Sequence, residues 1–230
     1  MVKVPIKTFE RQLVSQGHDL IIGVDEVGMA CLAGPVVVCA LAVEPRFYER
    51  QHPKLAGLRD SKMLQAHQRE YFSELLAGEA ELKWAIVLCD MKVIDEINIY
   101  QASRRAMREA IQKLLVISGE WLDKSKSIHY SLSTNNSGPI VLVDGNKLIR
   151  DIPLPQRAIV GGDRKIWAIA AASILAKVYR DKLMVEYAVQ YPGYGFEQHK
   201  GYPTALHRRH LAKLGPCPLH RQSFTLNHII

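Results

Sequence analysis

Cysteine is scarce in this chain and no two cysteines stand at a CxxC spacing: Cys31, Cys39, Cys89 and Cys217 are scattered over 230 residues. That scatter supplies neither a disulfide framework nor a thiolate knuckle for metal, and it fits a reducing, cytoplasmic compartment in which the thiols are small core fillers. Long apolar runs are also missing. Stretches such as Val36 to Val43 fall far short of the roughly 20 residues a membrane-spanning helix requires, so no membrane partner is expected. Met1 to Leu20 alternates charged and polar residues and lacks the apolar centre of a signal peptide. Neither a P-loop nor a dinucleotide-binding glycine fingerprint occurs, and no internal repeat is visible.

The composition is that of a soluble globular protein: 48% hydrophobic residues and a mean hydropathy of −0.05. The length suits one domain with a small appendage, at roughly 100 to 200 residues per domain. A net charge of +7 and a pI of about 9.2 suit a polyanionic partner. From Tyr191 onward the chain carries Lys200, Arg208, Arg209, Lys213 and Arg221 against the single acid Glu197, together with five of the nine histidines. Such a segment is either a solvated basic tail or a surface that tracks phosphates.

Val and Ile bracketed by Gly and Pro predict strands over 19–27 and 35–43, joined as a hairpin by a glycine-containing turn. Helical spacing over 63–77, a strand over 83–89 and a long amphipathic helix over 93–117 follow. The polar stretch 123–139 reads as a loop, 140–143 and 157–160 as strands, 164–190 as a second long helix, and 203–214 as a short one. This order predicts an α/β protein with a mixed sheet flanked by helices on both faces. Residues 1–190 are expected to form the main domain, with 191–230 a basic, partly helical extension packed on it.

Four acids stand where acids are rarely placed. Asp25 and Glu26 adjoin at the end of an apolar strand, Asp144 follows Ile-Val-Leu-Val, and Asp181 lies on the apolar stripe Trp167, Ala170, Ala171, Ile174, Val178, Val185 of the long helix. Neighbouring strand residues face opposite ways, so at least one of Asp25 and Glu26 points into a core. Asp144 precedes Gly145 and serves equally as a ligand at a strand end or as an Asx-turn. Asp181 is also four residues from Lys177, and helical spacing alone favours their ion pair. Ser173, Lys177, Arg180 and Met184 flank that stripe. Clustered carboxylates on a basic chain suit Mg2+ or Mn2+, and two such ions about 3.5 to 4 Å apart can clamp both oxygens of a phosphodiester being cleaved.

Gly23-Val-Asp-Glu-Val-Gly with Leu32-Ala-Gly-Pro-Val-Val resembles the opening motif of type 2 ribonuclease H, the ribonuclease HII family. Asp60-Ser61-Lys62 with Arg69-Glu70, Val143-Asp144-Gly145, Gly162-Asp163, Ala171 to Val178 with Arg180-Asp181, Tyr194-Gly-Phe with His199-Lys-Gly-Tyr202, and His220-Arg with Ser223-Phe224 continue the resemblance along nearly the whole chain. It implies a ribonuclease H-like fold with a helical C-terminal extension. The implied activity is metal-dependent endonucleolytic cleavage of RNA in RNA–DNA hybrids and of ribonucleotides embedded in duplex DNA, on their 5′ side, by water, leaving 5′-phosphate and 3′-hydroxyl ends. Carried over by motif, Asp25, Glu26, Asp144 and Asp181 would be the catalytic metal ligands. Tyr202 would stack near the sugar at the RNA–DNA junction, and Ser61, Lys62, Ser173 and Lys177 would meet phosphates. The two dozen or so residues before Asp25 leave no room for the N-terminal substrate-binding domain of type 3 enzymes, and without an evident clamp-binding peptide a monomer is expected.

The chain departs from the family after its Asp-Glu pair. Gly-Arg-Gly, whose backbone reads the 2′-hydroxyl, is replaced by Gly28-Met29-Ala30. Met29 supplies no guanidinium and Ala30 adds a methyl, so metal binding and hydrolysis are expected to survive while junction specificity weakens or is reorganised. A catalytically impaired nucleic-acid-binding protein is the alternative. A zinc module built on His207, His210, Cys217 and His220 is a further one.

Overall fold

A computed structural model describes residues 4, 5, 7–119 and 138–224. The predicted loop over 123–139 lies outside them except for its last two residues. Helix α1 (Thr8–Ser15) leads into the hairpin β1 (Leu20–Val27) and β2 (Val36–Val43). The short α2 (Pro45–Glu49), then α3 (Ala66–Gly78), β3 (Leu82–Cys89) and α4 (Met91–Ile117) follow. Beyond them come β4 (Pro139–Asp144), β5 (Gln156–Ile159), α5 (Trp167–Gln190), α6 (Phe196–His199) and α7 (Ala205–Leu214). The strands form one mixed sheet in the order β3-β2-β1-β4-β5, antiparallel from β3 to β1 and parallel from β1 to β5. The expected α/β architecture is thus the observed one.

The two sheet faces carry separate cores. Ile21, Cys39, Leu41 and Leu142 pack under α5 and α3, whereas Ile22, Val24, Val38 and Val143 pack under α4 with Ala106, Ala110 and Leu114. The alternation of β-branched residues along β1 and β2 serves both faces at once. Helix α5 sits unusually close to β1, because Gly23 has no side chain and the helix offers a run of alanines. A Cβ on Gly23 would come within 2.4 Å of the Ala168 backbone.

Two features escaped periodicity. The N-terminal segment, read only as polar, forms α1, and its buried Glu10 accepts the Trp167 and Ala168 amides at 2.8 and 3.3 Å. A carboxylate thereby caps the start of α5, which has no cap of its own and begins at Trp167 rather than at residue 164. The second is a break in α4, expected to be continuous. Asn98 adopts φ 65° and ψ 160°, and its side chain accepts the amides of Tyr100 and Gln101, both at 3.0 Å, opening a fresh helix inside the first.

Candidate active site

Asp25, near the end of β1, and Asp144, the last residue of β4, each lie one residue beyond the paired Val24 and Val143. At β1 the sheet changes direction, β2 lying on one side and β4 on the other, and open sheets bind ligands at such switch points. Alternation turns Asp25 toward α5, where Ser173 hydrogen-bonds its carboxylate, and Glu26 toward α4, where Arg104 bears on it.

These acids are poorly compensated. Asp25 is 5% exposed, and its Oδ1 accepts the Glu26 amide at 2.8 Å. Burial, and then the charges of Glu26 and Asp144, hold it well above the usual carboxylate range. Glu26 is pushed up to about 7 by burial and by Asp144, with Arg104 and Lys62 pulling the other way. Its Oε2 is buried without a hydrogen-bond partner. Asp144 Oδ1 accepts the Gly162 amide at 2.7 Å.

Two further acids stand close by that pattern alone did not single out, since both occupy turns. Asp163 is buried, its carboxyl raised by burial and then by Asp60 and Asp144, with Lys62 Nζ 3.6 Å from its Oδ2. Asp60, also buried, accepts the Lys62 amide at 2.9 Å and pairs with Arg164 at 3.2 Å.

Asp181 is engaged differently. Its Oδ1 accepts from Lys177 Nζ at 2.8 Å and its Oδ2 from Arg69 Nη2 at 3.4 Å, so the ion pair favoured by helical spacing is formed. The apolar stripe turns out of the core at this end of α5. Val185 is 44% exposed, while Arg180 and Met184, expected on the flank, are fully buried. A groove of about 580 Å³ is lined by Arg69, Lys177, Asp181, Lys200 and Tyr202. The Tyr202 ring centroid lies 5.0 Å from Lys177 Nζ, and burial lifts the phenol to about 12. Of the other expected phosphate contacts, Ser61 and Ser173 are buried with their hydroxyls 2.9 Å apart, whereas Lys62 is exposed.

The turn after the Asp-Glu pair is held from behind. Gly28 takes φ +100°, and a Cβ there would meet Arg180 Nε at 2.6 Å. Arg180 donates to the carbonyls of Pro35, Ala33 and Lys200 at 2.9, 3.0 and 2.8 Å. Arg221, from the C-terminal segment, donates twice to Gly34 at 3.0 and 2.8 Å and once to Met29 at 3.1 Å. All of these acceptors are backbone. The Met29 side chain packs on the α4 core and Ala30 is exposed.

The carboxylates suit a hard cation in chemistry: an oxygen-only set, mutually repelling, with an orphaned buried oxygen on Glu26. They share one field without closing into a cage, for among the described residues no three His, Cys, Asp or Glu side chains are grouped to hold a metal as they stand. The zinc reading lacks geometry for the same reason. His207 Nδ1 faces the Tyr202 carbonyl at 2.9 Å, His210 Nδ1 faces that of Tyr194 at 2.8 Å, and His207 and His220 meet through their Nε2 atoms at 3.1 Å. These nitrogens are occupied by the fold, and burial lowers His207 to about 4. Among the described residues no helix is long and apolar enough to cross a membrane.

The profile of the family described as Ribonuclease HII matches residues 22–227. Ribonuclease HII of Chlorobium chlorochromatii is 42% identical over 214 residues, 93% of either chain, and that of Hyphomonas neptunium 43% identical over 205 residues, 89% of this chain and 93% of its own. Among solved structures, the ribonuclease HII in a PCNA complex from Archaeoglobus fulgidus superposes with a TM-score of 0.64 at 22% identity, covering 91% of this chain and 96% of its own. Bst-RNase HIII in complex with Mn2+ superposes with a TM-score of 0.66 at 16% identity, covering 94% of this chain and 70% of its own. The chain belongs to the ribonuclease HII family, and is thereby a ribonuclease H, a phosphodiester hydrolase.

Proposed function

We propose that the chain is a metal-dependent endonuclease that cuts RNA in RNA–DNA hybrids and ribonucleotides embedded in duplex DNA, leaving 5′-phosphate and 3′-hydroxyl ends. The observation that carries this reading is the buried Asp25 and the half-buried Glu26, mutually repelling carboxylates beside Asp144, with one buried Glu26 oxygen unpartnered. Such an arrangement is unfavourable by itself and is relieved by a divalent cation. Asp25, Glu26 and Asp144 would hold Mg2+ or Mn2+, with Asp181 joining by exchanging its bonds to Lys177 and Arg69. Bound there, one or two ions would lower the pKa of water and neutralise charge on the scissile phosphate.

The rest is done by the chain. Lys177, freed from Asp181, would receive phosphate oxygens in the groove beside Tyr202, whose ring offers a face to the sugar. Lys62, exposed and close enough to be influenced by Asp25 and Asp144, would meet the phosphate nearest the acids. Ser61 and Ser173, buried and paired, would position Asp25 instead of binding substrate. Gly28-Met29-Ala30 would present its backbone in the turn held by Arg180 and Arg221, and without an arginine at Met29 its grip on a lone ribonucleotide would be weaker.

The test is cleavage with Mg2+, with Mn2+ and with chelator, on a duplex containing one ribonucleotide, an RNA–DNA hybrid and an all-DNA duplex, with Asp144→Asn as control. Metal-dependent cutting of the hybrid, poorer cutting at the lone ribonucleotide and none of DNA is the expected outcome. Binding without turnover under every metal condition would overturn the proposal in favour of an impaired homologue.

A further inference from the structure

A groove of about 570 Å³ runs along the outer part of α4. Five cations, Arg104, Arg105, Arg108, Lys147 and Arg150, line it against one carboxylate, Asp151. It lies on the sheet face opposite α5, and therefore opposite the groove of Lys177 and Tyr202.

The break at Asn98 starts a new helix just before these arginines, and Gln101, Arg104, Arg105 and Arg108 then fall at i, i+3, i+4 and i+7 on one face. Like charges at such spacings repel, and the ion pair of Arg105 with Glu109 at 2.8 Å offsets only part of that, so the face keeps a net positive charge that suits a polyanion. The side chains are partly pre-positioned. Arg104 Nη1 donates to the Lys147 carbonyl at 2.9 Å with its guanidinium 5.4 Å from the centroid of exposed Tyr100, and Arg108 Nη1 pairs with Asp151 at 2.9 Å. The groove lies near the catalytic end of the sheet: its Lys147 is three residues beyond Asp144, and its Arg104 bears electrostatically on Glu26.

We propose that this α4 groove holds the phosphodiester backbone of the duplex arm beyond the cut, so that substrate is gripped on both sides of the carboxylates. The inference rests on the function proposed above and adds a second binding surface to it. Its bonds are to phosphates, so it supplies affinity and register without reading sequence.

The test is binding of the intact protein in chelator, where no cleavage occurs, to a long RNA–DNA hybrid and to a short one spanning only the carboxylates, by fluorescence anisotropy over a series of salt concentrations. The variant carries Arg105→Gln, Lys147→Gln and Arg150→Gln, which gives up the exposed Arg105–Glu109 ion pair and leaves Arg104 and Arg108 with their structural bonds. Lys54→Gln, an exposed charge elsewhere, controls for the loss of a cation outside the groove. Every cation withdrawn from a phosphate lowers the slope of log affinity against log salt by about 0.9. The triple variant should therefore show a slope shallower by up to about 2.7 and an affinity for the long hybrid at least about tenfold weaker, with the short hybrid unaffected. A slope and affinity on the long hybrid equal to those of Lys54→Gln overturn the proposal. If the triple variant does not fold, Arg150→Gln alone, at an exposed loop residue, should lower the slope by about 0.9, and an unchanged slope has the same force. Since nothing here depends on turnover, a wild type that binds but never cuts would defeat the functional reading and leave this one standing.

Discussion

Two sets of buried charge meet at the β1–β2 turn, and the fold treats them in opposite ways. Arg180 and Arg221 are fully buried and satisfied, each donating three hydrogen bonds to carbonyls. Asp25, buried, and Glu26, half-buried, lie a few residues upstream of that turn beside each other and beside Asp144, with a buried carboxylate oxygen left bare. A buried charge that is fully hydrogen-bonded serves architecture, here by fixing the path of the chain past the site. A buried charge left uncompensated stores repulsion that a cation can relieve, and serves chemistry. The contrast is the more informative because both sets converge on one turn, although Arg180 comes from α5 and Arg221 from the C-terminal segment.

The contrast can be broken most sharply at Asp25. Asp25→Asn should cut metal-dependent turnover by about 10³-fold, since forfeiting several kcal/mol of metal-mediated stabilisation corresponds to that factor. It should also raise the Tm of the metal-free protein by removing like-charge repulsion. Steady-state kinetics and calorimetry on one preparation check both, and a lowered Tm would mean that Asp25 is structurally compensated after all. Arg180→Met should do the reverse. Stripping three carbonyls of their donor should cost about 3 to 5 kcal/mol in urea unfolding, with activity falling only as the folded fraction falls.

A smaller effect is expected from restoring the family triplet. Met29→Arg with Ala30→Gly should raise the kcat/KM ratio of lone-ribonucleotide to long-hybrid substrates about tenfold, the worth of one charge-assisted hydrogen bond. Stability should fall slightly, because Met29 gives up its packing on the α4 core while the turn remains held through its backbone. An unchanged ratio would show that the turn's path, not the missing guanidinium, sets selectivity.

The subtlest difference is in pH. Glu26 titrates near 7 in the folded protein against an ordinary value of 4.5. The folded state therefore retains a proton that the unfolded state gives up, and stability of the metal-free protein should decline as pH rises from about 4.5 to 7. Buried His207, lowered from 6.5 to about 4, acts oppositely: its contribution is present above 6.5 and is lost as pH falls toward 4. Subtracting the Glu26→Gln stability profile from the wild-type one isolates the first trend, and a flat difference between pH 4.5 and 7 would show that Glu26 is not perturbed.

The order of strands and long helices was legible because β-branched runs and helical stripes announce themselves locally, and the acids stood out by interrupting them. Helix α1 was not legible, since its purpose is to bring Glu10 to the start of α5 and that partner lies more than 150 residues away. The break at Asn98 was hidden for a related reason: an asparagine inside a helical pattern looks ordinary until its side chain is seen capping the next turn.

By itself the sequence determined the α/β class, the family, and the placing of Asp25, Glu26 and Asp144 at strand ends, because side-chain alternation and short motifs are properties of neighbouring residues. Helical spacing already favoured the Lys177–Asp181 pair, but only the tertiary structure decided which acids share a field and which partners come from elsewhere in the chain. Lys177 and Arg69 claim Asp181 in this structure, Asp163 and Asp60 enter the neighbourhood of Asp144 from turns, and Arg180 and Arg221 become the clamp on the Gly28 turn. Coulomb energy and desolvation depend on distance and burial in space, and separation along the chain fixes neither.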